Sequence, residues 1–124
     1  AYATTISCME KTVKDRSAAV ASFVKASMEG WKSYLADPAP ANALIKKDNP
    51  NMTDEQLAYS VAKLKEMGMA TGGDAATMGI GIMTDARAKA SYDFLVDAKH
   101  IDPSKVKLAD TYTTSFVKDL KVLP

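Results

Sequence analysis

Apolar residues recur at helical spacing along most of the chain. Val20, Phe23, Val24, Ser27, Met28, Trp31, Tyr34 and Leu35 fall on one broad face, and a repeat near 3.6 residues predicts an amphipathic helix. Asp15 or Ser17 can cap its start. Pro38 and Pro40 require it to end by Asp37. Gly30 inside it costs roughly 1 kcal/mol relative to alanine, which implies close packing at that point. A short second helix fits residues 40–48, with Ala41, Leu44 and Ile45 inward and Lys46, Lys47 and Asp48 outward. Asn49-Pro50 stops it. Thr53-Asp54-Glu55-Gln56 then reads as a capping box. Leu57, Val61, Leu64 and Met67 form the stripe of the helix behind it, and Gly68 is placed to end that helix in the left-handed conformation.

Residues 70–82, ATGGDAATMGIGI, read as a glycine-rich connector. Thr84 or Asp85 starts the next helix, about residues 84–99, with Ala86, Ala90, Phe94, Leu95 and Ala98 inward. Asp102-Pro103 marks a turn, or the first turn of a short helix through Val106. Thr113 or Thr114 caps a last short helix containing Phe116, Val117 and Leu120. Residues 2–8, YATTISC, form the one convincing strand, because Tyr2, Thr4, Thr5 and Ile6 are β-branched or aromatic. Met78–Met83 and Lys105–Leu108 are weak strand candidates. A single strand cannot satisfy its ladder hydrogen bonds, so residues 2–8 are expected to pair with something outside the chain, or with another copy of it.

Composition narrows the class. With 124 residues the chain is one domain at most, or part of one. Apolar residues make up 47%, too many for an intrinsically disordered chain, and no run approaches the roughly 18 apolar residues of a membrane span. A net charge of +1 argues against nucleic acid or an anionic membrane as the main partner. The lone cysteine, Cys8, cannot form an internal disulfide. Residues 1–12, AYATTISCMEKT, lack both an initiator methionine and a signal-peptide pattern. The pattern favours a piece from inside a longer protein.

Candidate chemistry is thin. Gly79-Ile80-Gly81 lacks the preceding strand, third glycine and immediate helix of a dinucleotide fingerprint. His100 has neither a cysteine motif nor a second histidine to make a metal site, and reads as a helix-end residue. Asp48, Asn51, Asp54 and Glu55 lack the spacing and turn glycine of a calcium loop, and Pro50 interrupts them. Cys8 has no histidine placed near it by any motif, and a strand cysteine is usually a small buried apolar residue. Trp31 reads as core within its stripe, and the seven methionines as gap fillers. No paired carboxylates, nucleophile–base set, phosphate loop, metal site or cofactor site emerges. The residues themselves predict a mostly α, soluble, non-enzymatic piece of a larger α/β protein.

Three stretches together resemble a known family: residues 22–37 (SFVKASMEGWKSYLAD) followed by Pro38, residues 45–60 (IKKDNPNMTDEQLAYS), and residues 73–94 (GDAATMGIGIMTDARAKASYDF). They are similar to the C-terminal part of the periplasmic substrate-binding proteins of ABC importers, in the branch serving thiamine-pyrimidine precursors, sulfonates, nitrate and riboflavin-type ligands. The resemblance runs from about Ala1 to the end. It implies the C-terminal helical portion of a two-lobed α/β periplasmic-binding-protein (type II) fold, with one N-terminal strand. Residues 1–124 would then be a C-terminal fragment, with residues 2–8 crossing a hinge and residues 15–120 wrapping the first lobe.

The missing N-terminal portion would carry the signal peptide, most of both sheets and most ligand contacts. The lobes would close on a small molecule and dock on a membrane permease. Tyr2, Thr4 and Thr5, beside the hinge, are the ligand-binding candidates; the same residues equally suit a purely structural place in a sheet. The block at residues 73–87 marks the branch without a ligand role. Two other classes compete: a stand-alone helical module that binds a protein partner, and a ligand-sensing domain of a regulatory protein. Without its sheet, the isolated chain is expected to dimerise, swap elements or aggregate.

Overall fold

The computed structural model describes residues 2 and 4–124; Ala1 and Ala3 lie outside the described residues. It is mostly helical. Among the described residues six α-helices follow in order: α1 (Glu10–Asp15), α2 (Ser17–Ala36), α3 (Ala39–Asp48), α4 (Asp54–Glu66), α5 (Ala75–Met78) and α6 (Asp85–Asp97), with a 3₁₀ turn at Leu108–Asp110. No strand occurs among the described residues.

The expected strand at residues 2–8 is therefore corrected. Ala3 lies outside the described residues, but Tyr2 and residues 4–9 are irregular. The residue types favour a strand, and no second strand supplies the ladder. Cys8, expected to be buried there, is exposed. The weaker candidates likewise form no strand: Met78 ends α5, Lys105 lies in a turn, and Leu108 opens the 3₁₀ turn.

Local signals place the ends of α4 and α6 well, whereas α1 and α5 carry no such signal and α2 starts after Arg16 with no side-chain cap from Asp15 or Ser17. Thr53 and Gln56 form the reciprocal capping box at the start of α4. Gly68, at φ +58°, ends that helix, with Met69 N–H bonding Leu64 O and Gly68 N–H bonding Lys65 O, the two bonds of a Schellman motif. Thr84 caps α6 by accepting from Arg87 N–H at 3.4 Å. Lys99 takes the left-handed position after α6, and His100 N–H closes onto Leu95 O at 2.8 Å. Helix α1 lacks an apolar stripe. Its terminal charges suit the helix ends, and Lys14 pairs with Glu10 at 2.7 Å. Arg16, at φ −131°, separates α1 from α2.

The last expected helix is absent. Residues 115–120 form successive turns, with Val117 and Lys118 N–H both bonding Thr114 O. Lys118 N–H bonds four residues back, whereas Val117 and Leu120 N–H bond three residues back, to Thr114 O and Val117 O, so no α-helical ladder builds.

Burial is sparse. The core comprises Val24 and Met28 of α2, Leu57 and Val61 of α4, Ala75 of α5, and Ile80 and Ile82 of the connector. The predicted faces of α2 and α4 hold in part: Phe23, Trp31 and Met67 are exposed. Leu44 of α3 also points outward. The α6 face is turned round: Ala86, Ala90, Phe94 and Ala98 are exposed, and among the expected inward residues only Leu95 is half-buried. Gly30 is not closely packed, since a Cβ built there meets nothing within 4 Å.

Candidate functional site

Five side chains gather where the connector enters α6. The cap residue Thr84 fixes the first turn, which carries Asp85 and Arg87. Thr84 N–H donates to the Tyr2 hydroxyl at 2.8 Å. The Arg87 guanidinium lies over the Tyr2 ring, 4.6 Å from its centroid. A cation over a phenol face is held by the ring quadrupole, with a gain of about 0.5–1 kcal/mol at exposed sites. Residue 2 is thus seated on α6, 82 positions away in sequence.

Tyr112 approaches from the other side. Its hydroxyl donates to Asp85 Oδ1 at 2.8 Å. That bond holds the Tyr112 phenol above its ordinary range; desolvation and the Asp85 charge act in the same direction, followed by Tyr2. The Thr84 hydroxyl also faces Asp74 Oδ2, at a long 3.5 Å. A shallow groove lined by Arg87, Ala90, Ser91, Phe94 and Leu95 runs from this cluster along α6.

The arrangement offers two phenol rings, a guanidinium and a carboxylate around one helix start. It suits stacking and hydrogen bonding to a small planar or anionic molecule. No group of three histidine, cysteine, aspartate or glutamate side chains able to hold a metal occurs among the described residues.

Of the three residues expected from the sequence, Tyr2 belongs to the cluster. Thr4 and Thr5 are exposed on the irregular segment before α1, outside the contacts that hold Tyr2. Thr84, Asp85, Arg87 and Tyr112 were not singled out as ligand contacts. The signal for the first three lies in the block at residues 73–87, which had no role until Tyr2 was placed against it. Nothing near Tyr112 in sequence marks it.

Comparison with protein-family models, with curated proteins and with solved structures gives no match.

Proposed function

We propose that the chain is the C-terminal helical portion of an extracytoplasmic solute-binding component of an ABC importer. In this reading it works in the periplasm, helps to capture a small organic ligand between two lobes, and delivers it to a membrane permease. It performs no chemistry on the ligand. The observation that carries the reading is the seat of Tyr2 on Thr84 and Arg87. A residue placed beside the hinge by the resemblance meets the Gly-Asp to Thr-Asp-x-Arg block that helps to define it. The contents of the cluster fit the ligand class: aromatic faces for a heterocycle, and a guanidinium for a sulfonate, nitrate or other anion.

The open helical layer supports the same reading. Phe23, Leu44, Tyr59 and Phe94 are all exposed, as expected of helices that wrap another body. The same exposure also favours the second reading, a helical module that binds a protein partner.

Thermal unfolding of the full-length protein with pyrimidines, sulfonates, nitrate and riboflavin separates the two. A ligand present at 100 times its dissociation constant stabilises by about 2.7 kcal/mol, which raises the melting temperature measurably. Solute capture predicts such a rise with one compound class, and its loss in Tyr2→Ala. No shift with any of them, at concentrations up to the millimolar range, removes the solute-binding reading.

A further inference from the structure

The connector Gly79–Ile82 is held on two sides. On one side lies α2: a Cβ on Gly81 would fall 1.6 Å from Met28 Sδ, so the Met28 side chain occupies the space that any larger residue would need. On the other side lies the segment Lys121–Leu123. A Cβ on Gly79 would come within 2.9 Å of Val122 N and 3.1 Å of Lys121 Cα. Both glycines have positive φ, +111° and +79°, a region that L side chains rarely enter. Gly79 is therefore closed in by backbone, whereas Gly81 is exposed and meets the end of the flexible Met28 side chain.

The segment is fastened at two points. Ile80 N–H donates to Val122 O at 2.8 Å. The Lys32 ammonium, one helical turn beyond Met28 on α2, donates to Leu123 O at 2.7 Å. The segment that carries these anchors turns sharply, with Leu123 N–H bonding Lys121 O and Lys121 at φ +46°. A lysine in the left-handed region is strained, so the surrounding bonds must hold it there. Ile82 is buried two residues before Thr84.

We infer that Lys121–Leu123 is a strap that clamps the glycine connector against α2 and thereby sets the position of Thr84 relative to Tyr2. With the strap closed, Ile80 and Ile82 are buried and the Thr84 amide is held on the Tyr2 hydroxyl. With the strap released, Gly79 and Gly81 regain their conformational freedom and the α6 entrance shifts away from Tyr2. The strap is a conformational device acting on the cluster from the far side of the connector. It is independent of the solute-capture reading, because it concerns the fold's control of the cluster and not what binds there.

Residue-resolved amide hydrogen exchange on the full chain tests it. Lys121→Pro locks φ near −65° and forbids the strap's turn; Lys121→Gly permits it without strain. The strap predicts faster exchange at both the Ile80 and Thr84 amides in Lys121→Pro, by about fivefold or more, the equivalent of one net hydrogen bond. It predicts parent rates at both in Lys121→Gly. Faster exchange at Ile80 with Thr84 unchanged overturns the inference, since release would then stop short of the cluster. If Lys121→Pro fails to fold, Lys32→Met decides. It removes one surface anchor without touching the backbone, and must speed both amides; parent rates at either one overturn the proposal.

Discussion

At the scale of single residues, Tyr112 gives the sharpest handle on the cluster. Its hydroxyl donates to the Asp85 carboxylate, and this bond exists only while the phenol keeps its proton. The Tyr112 pKa is raised by that bond first, then by desolvation and the Asp85 charge. A raised folded-state value means that the stabilising contribution is complete below the ordinary phenol range, near 10, and is lost as pH rises through the folded value. Phenolate absorbance should accordingly show one tyrosine titrating later than in the Asp85→Asn variant, in which the charge is gone. Superimposable titrations would show that the bond does not form in solution. Such a pair is legible only in the fold. Asp85 carries an obvious signal as a helix-start residue, whereas Tyr112 lies 27 positions away in an irregular stretch with no periodicity to mark it.

At the scale of elements, the readings that succeeded rest on bonds spanning a few residues. The Thr53–Gln56 capping box, the Gly68 terminus and the Thr84 cap are each encoded within one turn of chain, so tertiary context is not needed to find them. The readings that failed needed a partner. Residues 2–8 have strand residues and no ladder. The stripe Ala86, Ala90, Phe94 and Ala98 defines a face, but periodicity does not say which neighbour covers that face. Residues 115–120 turn on Thr114 O and Val117 O without building an α-helical ladder, although α1 holds one over six residues. Gly30 joins the two kinds of reading. It lies well inside the 20-residue helix α2, yet open space surrounds the position of its missing Cβ. Gly30→Ala should therefore stabilise the chain by about 0.5–1 kcal/mol through the lower entropy of the unfolded state, read as a higher urea midpoint at unchanged slope. A lower midpoint would mean that another element lies on this face, as the sequence alone suggested.

At the scale of the whole molecule, area decides between an open layer and a closed globule. A compact monomer of 13.3 kDa exposes about 6,500 Å² by the usual mass scaling, whereas this chain exposes 8911 Å². An elongated shape alone could raise the area while keeping apolar groups inside. That is not the arrangement here: among the described residues the buried apolar set is seven, and Leu57, the most buried of them, retains 3% exposure. Phe94 meanwhile keeps 69% of its surface in contact with solvent, and Phe23, Leu44 and Tyr59 are each more than 60% exposed. The excess, about 2,400 Å², is as large as the surface buried in a substantial protein interface. A net charge of +1 provides little repulsion to keep copies apart. The isolated chain should accordingly sediment as a dimer or larger species at micromolar concentration and brighten a hydrophobic dye, and both signals should fall when the exposed Phe23 and Phe94 are replaced by serine. A dilute, dye-silent, cooperatively melting monomer would show instead that these helices close on themselves in solution, and would remove the support that the open layer lends to a wrapping role.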